Sequence, residues 1–184
     1  MAKRSIKELD VRNKKVLLRV DYNVPISKEG AITDDKRIIE TLPTIRYLLD
    51  NDAVVILVTH LGRPDGKVVE SLRLDKVAQR LSTLLGKPVK KLDSVIGPDV
   101  TEAVAEARPG DVLMLENVRF LKEEKTGSEE LAKSLASLAD VYVDDGFATA
   151  HRPDTSVAGV PQFLPSAAGF LLEKEIRVLE TVTT

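Results

Sequence analysis

A three-layer α/β domain built on a doubly wound parallel sheet is the fold class the sequence predicts, and three observations predict it. First, short apolar runs recur along the chain. The clearest, "AVVILVTH" (Ala53 to His60), shows no alternation of apolar and polar residues, the mark of a strand covered on both faces. Second, the stretches between these runs place apolar residues at helical spacing. Strands that alternate with helices of ten or more residues require right-handed crossovers and hence parallel pairing. Third, 184 residues with 43% hydrophobic and 30% charged content suit one large domain, with no internal repeat, linker or low-complexity tract to divide it.

In chain order, "KVLLRVDYNVP" (Lys15 to Pro25) predicts a strand that ends in turn chemistry. From Asp35, Ile38, Leu42, Ile45 and Leu49 fall at helical spacing behind a Thr33/Asp34 start signal, with a kink expected at Pro43. The run to His60 is the central strand. Leu74, Val77, Ala78, Leu81 and Leu85 form the next helical stripe, stopped by Gly86. "KPVKKL" (Lys87 to Leu92) predicts a short strand, and Val100 to Ala107 a short helix. "DVLMLENVRF" (Asp111 to Phe120) is a strand behind a Pro-Gly turn. Thr126 and Glu129 suggest a capping box ahead of Leu131, Leu135 and Leu138. "DVYVDDGF" (Asp140 to Phe147) is a further strand, and a sixth is expected around Ser156 to Val160. A last helix is expected from near Ser166, turning Phe170, Leu172, Ile176 and Leu179 inward. The architecture is single-domain and Rossmann-like.

Composition excludes several function classes. A formal net charge of -2 gives no global basic field, so nucleic acid is not an expected partner and any anion site must be a local cluster of cations. With no cysteine there are no disulfides and no thiolate metal sites. The opening "MAKRSIKELD" is polar, unlike a secretory signal, and no run approaches the ~20 apolar residues of a membrane span. The expectation is a monomeric cytoplasmic protein that does not engage membranes.

In an open parallel sheet, ligands bind beyond the carboxyl ends of the strands, so the residues that follow each run carry the information. They are Asp21 and Asn23 after the first, His60 and Arg63 after the second, Asn117 and Arg119 after "DVLMLE", then Asp144, Asp145, His151 and Arg152 after "DVYV". Arg37, in the first turn of the first helix, opposes the helix dipole and so asks for a nearby anion. Arginine forks suit carboxylate or phosphate, histidine can donate to an anion, and Asp21 and Asn23 can accept from a hydroxyl. The set points to a small, highly anionic hydroxy acid, for instance a phosphorylated one. Arg19, inside an apolar strand, reads as a structural arginine paired with a carboxylate. Asp144 and Asp145 point to opposite faces as neighbours in a strand and fit an ion pair and a turn better than a metal site. "GRPDGK" (Gly62 to Lys67) is one residue short of a nucleotide P-loop, and Val68 stands where Ser or Thr would hold magnesium.

The stretches "RVDYNVP", "ITDDKRI", "HLGRPDGK", "LENVRF", "FATAHR" and "AGFLLEKEI", in this order, resemble the N-terminal half of phosphoglycerate kinase from near residue 15 to near residue 176. That family is a two-domain glycolytic enzyme. The resemblance implies that residues 1–184 correspond to the domain that binds 3-phosphoglycerate or 1,3-bisphosphoglycerate. It implies too that the C-terminal domain, which holds Mg-ADP or Mg-ATP, is absent from this chain, so that no cofactor is expected here. Carried over motif by motif, it gives substrate roles to Asp21, Asn23, Arg37, His60, Arg63, Arg119 and Arg152, with His151 in the same basic patch and Arg37 nearest the transferred phosphoryl group. There are two departures. "DDGF" stands where the family usually reads Asn-Asp-Ala-Phe, and Pro153-Asp154 follow the arginine where it usually reads Ala-His; Asp154 is expected near Arg152, weakening binding there. Two function classes stay open: half of a kinase, inactive alone, or a non-catalytic anion-binding module or isolated folding domain.

Overall fold

The computed structural model describes residues 4–183. In chain order the regular elements are β1 (Lys15–Arg19), α1 (Lys36–Ile39), α2 (Leu42–Asp50), β2 (Val54–Val58), α3 (Asp75–Leu85), β3 (Lys90–Lys91), α4 (Pro98–Glu106), β4 (Val112–Met114), α5 (Glu123–Thr126), α6 (Glu129–Ala136), β5 (Val141–Asp144), β6 (Ser166–Ala168) and α7 (Phe170–Val182). The strands form one sheet in the order β3-β4-β2-β1-β5-β6, and every pairing is parallel.

Alternation along each strand builds the three layers. Val16, Leu18, Val55 and Leu57 face one core with Ile38, Ile45, Leu48, Val77 and Leu81 of the helices. Leu17, Val54, Ile56 and Val58 face the other, with Val100 and Val104 of α4 and Leu131 and Leu135 of α6. Both faces of the sheet are covered, which is why β2 is apolar at every position. Burying each such side chain contributes roughly 1.5–3 kcal/mol.

Four expectations are corrected. The first helix is two helices rather than one kinked helix. The chain breaks at Glu40 and Thr41, because Pro43 has no N–H to donate to the Ile39 carbonyl and sits instead in the first turn of α2, where none is needed; the Thr41 hydroxyl donates to the Ile38 carbonyl at 2.8 Å and meets the Tyr22 hydroxyl at 2.6 Å. The α6 cap is Ser128, whose Oγ accepts from Leu131 N at 3.2 Å; Thr126 closes α5 instead. Ser156 to Val160 is no strand but a π-helical turn (Thr155–Gly159), in which the Asp154 carbonyl accepts from Val157 and Ala158. The sixth strand lies where the last helix was expected to begin, and the helix starts at Phe170, one residue after Gly169. At Gly169 a Cβ would stand 2.3 Å from the Asp145 carboxyl, so only glycine lets the chain pass there. Leu172 is buried in α7, but Leu179 is half exposed, because the end of that helix extends past the core.

Candidate functional site

The four central strands, β4, β2, β1 and β5, each end at the same edge of the sheet and each sends one polar side chain into a single depression of about 410 Å³: Arg119, Arg63, Asn23 and Arg152 respectively. Asp65, Gly66 and Lys125 complete its wall.

The loop after β2 is shaped by backbone geometry. Gly62, Asp65 and Gly66 all have positive φ (64°, 54° and 78°), which explains the spacing of "GRPDG". Neighbouring loops fix it. Gly62 N donates to Asn23 Oδ1 at 2.9 Å, Arg119 Nη1 donates to the Gly62 carbonyl at 3.2 Å, and Gly66 N donates to the Arg119 carbonyl at 3.1 Å. Arg63 is therefore carried by a loop tied to the other two walls. Asn117 is the buried stitch beneath: its Oδ1 accepts from Leu61 N and Arg119 N, and its Nδ2 donates to the carbonyls of Leu61 and Leu72.

Asp21 and Arg37 stand beside this depression, lining a shallower one of about 170 Å³ near α7. Arg37 Nη1 donates to Asp21 Oδ2 at 3.0 Å and to the Asn23 carbonyl at 3.1 Å, so the anion that Arg37 asked for is Asp21. Asp21 Oδ1 accepts from Asn23 N, closing the turn that aims Asn23.

The two histidines part company. Neither lines the depression; His151 is exposed, whereas His60 is 2% exposed. His60 Nδ1 lies 3.2 Å from Arg19 Nη2. A guanidinium has only donors, so Nδ1 accepts and the ring is neutral, with its proton on Nε2. Burial, then the charges of Arg19, Arg119, Arg152 and Lys125, push its pKa down to about 2. The carboxylate expected against Arg19 is reached indirectly: Arg19 Nε donates to Ser156 Oγ at 2.9 Å, and that hydroxyl donates to Glu124 Oε1 at 2.6 Å.

Asp144 Oδ1 accepts from Gly146 N, making a turn. Asp145 Oδ1 accepts from Leu171 N and Leu172 N in the first turn of α7, and burial raises its pKa to about 7. Among the described residues, no group of three or more histidines or carboxylates could hold a metal ion. Asp154 lies near Arg119 Nη2 (3.8 Å) and Lys125 Nζ (3.5 Å) rather than singling out Arg152. Burial is the largest influence on Arg119 and lowers its pKa; its Nε is buried without a hydrogen-bond partner.

Reading strand ends did not select Lys125. It lies on α5, one short helix beyond Arg119, and the weak signal for it is the "KEEKTG" stretch, whose Gly127 (φ 69°) ends α5 and turns the chain back.

A family model described as phosphoglycerate kinase matches residues 6–184. The chain belongs to the phosphoglycerate kinase family. It is 57% identical over 182 residues to a phosphoglycerate kinase of Dictyoglomus turgidum and 55% identical over 179 residues to one of Moorella thermoacetica. Those alignments take in 97% of this chain but only 46% and 45% of the two relatives. Among solved structures, the phosphoglycerate kinase of Pyrococcus horikoshii superposes with a TM-score of 0.88 at 38% identity, over 96% of this chain and 45% of that one. The enzyme of Coxiella burnetii superposes with a TM-score of 0.85 at 38% identity, over 97% and 44%. The chain thus spans less than half the length of these phosphoglycerate kinases. No helix among the described residues is long and apolar enough to cross a membrane.

Proposed function

We propose that this chain is the 3-phosphoglycerate-binding unit of a phosphoglycerate kinase. The observation that carries this reading is the convergence of Arg63, Arg119, Arg152 and Lys125 on one depression in a chain whose net charge is -2. 3-Phosphoglycerate carries about three negative charges near neutral pH, counting a phosphate of about -2 and one carboxylate. Arginine forks meet such groups with paired donors. Asn23 and Asp21 accept from the ligand hydroxyl, and neutral His60 donates a single N–H from Nε2. Arg37, tethered by Asp21, is the cation placed to meet the phosphoryl group in transit. Arg152, on the loop after β5, adds positive potential to the rim.

In the whole enzyme the reaction would move a phosphoryl group between 1,3-bisphosphoglycerate and ADP. Such transfer relies on positioning and charge neutralisation more than on covalent chemistry. The residues present do not suit a magnesium nucleotide: Asp65 is the one carboxylate in the depression wall, and no phosphate-cradling loop adjoins it. In this proposal the nucleotide belongs to the part of the longer relatives that this chain does not span, and the chain alone binds without turnover.

Titration with 3-phosphoglycerate followed by NMR tests the reading. Shifts should centre on Asn23, Arg63, Arg119 and Arg152, and binding should weaken as salt rises. Shifts confined to the opposite end of the strands, or an affinity indifferent to salt, would refute it. A second assay follows ADP-dependent consumption of 1,3-bisphosphoglycerate. Steady turnover by the purified chain that is lost in Arg37→Ala would mean that a nucleotide site exists here after all.

A further inference from the structure

Asp154 is 2% exposed, a depth at which a carboxylate needs strong partners. It has few. Its side chain makes no capping bond to the π-helical turn that follows it, although its position would allow one. Its Oδ2 is buried with no hydrogen-bond partner. What it has are two cations from the wall of the anion depression: Lys125 Nζ at 3.5 Å and Arg119 Nη2 at 3.8 Å. A made charge-assisted hydrogen bond is about 2.7–2.9 Å long. Both contacts are therefore electrostatic: neither Lys125 Nζ nor Arg119 Nη2 is held to Asp154 by a hydrogen bond, while Arg119 Nη1 is spent on the Gly62 carbonyl. Lys125, with its side chain 56% exposed, has open space around it in which to turn toward a ligand.

We propose that Asp154 is a resident counter-anion which sets the affinity and charge selectivity of the depression by competing with the incoming ligand for Arg119 and Lys125. The proposal rests on the reading that the depression takes the phosphorylated ligand. In the empty site Asp154 relieves the mutual repulsion of the clustered cations. In the filled site the ligand draws Lys125 toward itself, and Asp154 becomes a like charge close to a phosphate. Each negative charge on the ligand then meets one unit of opposing charge in a partly desolvated setting, where such terms are larger than in water. Asp154 should weaken highly charged ligands more than lightly charged ones.

A structural support would act in the opposite direction. If Asp154 served to hold Arg119 and Lys125 in place, its loss would loosen the site and weaken every ligand. The sign of the effect separates the two.

The experiment compares the whole chain with its Asp154→Asn variant by calorimetric titration with 3-phosphoglycerate and, separately, with glycerate, which lacks the phosphate. Asparagine keeps the shape and removes the charge. The variant should bind 3-phosphoglycerate about tenfold tighter, the scale of one nearby unit charge under partial screening. It should bind glycerate with a clearly smaller gain, and added salt should shrink both gains. Unchanged or weaker binding of 3-phosphoglycerate by the folded variant overturns the proposal and leaves the reading of the site intact. Failure of both chains to bind 3-phosphoglycerate overturns both. If Asp154→Asn and the alternative Asp154→Ser do not fold, the unaltered chain decides. The ¹³Cγ resonance of Asp154 should move as 3-phosphoglycerate saturates the site and draws Lys125 away, and a resonance that stays put while Arg63 and Arg119 report binding overturns the proposal.

Discussion

Around Glu116 and around Arg119, two clusters of charge lie at the same edge of the sheet, a few residues apart in the chain, and they are built differently. Glu116 is buried and receives Lys91, Arg73 Nη1 at 3.1 Å, Leu74 N at 3.0 Å and Asn117 N at 2.9 Å. Lys91 also faces Asp75 at 3.2 Å and Asp93 at 3.6 Å, and Arg73 is further held by Glu70 at 2.8 Å. Every cation there meets a carboxylate of the chain. Around Arg119, four cations line the depression with Asp65 and Asp154 to oppose them, both contacts to Asp154 are long, and Arg119 Nε and Asp154 Oδ2 are buried without a hydrogen bond. The first cluster is closed and fastens β3 and the start of α3 to β4. The second is open, with donors to spare, which is what an anion site requires. Buried charge alone does not distinguish the two clusters; unmatched buried charge does.

The largest expected effect breaks the closed cluster. Glu116→Ala removes the cluster's buried carboxylate, leaving Lys91 to Asp75 and Asp93, Arg73 to Glu70 and two backbone donors unpaired, and removing one partner of a buried pair costs about 3–5 kcal/mol of folding stability. Denaturant unfolding should register that loss, and a loss under about 1 kcal/mol would place Glu116 among exposed, weak pairs.

Next come the open cluster's cations. Arg63→Ala and Arg119→Ala should each weaken 3-phosphoglycerate binding by about 1.5–3 kcal/mol, the worth of a hydrogen bond to a charged group. Unlike Glu116→Ala, Arg63→Ala should leave the unfolding midpoint nearly unchanged. Equal damage to stability and to binding would erase the distinction between the clusters.

Asp145 lies between the two cases. Its carboxyl accepts two N–H groups from α7, but burial dominates and raises its pKa from an ordinary 3.8 to about 7. An acid whose folded pKa is raised takes up a proton on folding. Its contribution is fully present below about pH 4, falls as pH rises, and is gone above about pH 7. Asp145→Asn retains a carbonyl for Leu171 N and Leu172 N without the charge. It should be more stable than the unaltered chain at pH 8 and should lose the dependence between pH 4 and 7. Thermal melts across that range test it, and parallel curves for the two chains would mean Asp145 is ionised in the folded state throughout.

The smallest effect is a control. Arg46 lies on α2, with its Nη2 on the Leu84 carbonyl at 3.3 Å, away from the depression. Arg46→Ala should change affinity by less than about 0.5 kcal/mol. A loss like that of Arg63→Ala would mean that the cations act as a diffuse field rather than as a site.

The layers and the edge are legible in the local pattern of the chain. The unbroken apolar run of β2 and the helical stripes of α3 and α6 allow only a sheet covered on both faces, and parallel pairing sends every strand end to one side. Asn23, Arg63, Arg119 and Arg152 were legible for that reason: each follows a strong strand, and their meeting depends on topology alone. The rest depends on contacts between segments far apart in the chain. Ser156 reads as strand-like by composition, yet it is bound to Glu124 through both its backbone N–H and its hydroxyl, so the segment turns and β6 forms later. Lys125 enters the site through a one-turn helix too short to leave a periodic pattern. His60 and His151 look alike beside their arginines, but one is buried against Arg19 and the other is exposed. Asp154 faces Arg119 and Lys125 across 35 and 29 residues of chain. Apolar period and strand order are properties of neighbours along the chain, and a sequence states them. Which buried charge meets which is fixed by separations of a few ångströms between distant segments, and those exist only once the core has closed.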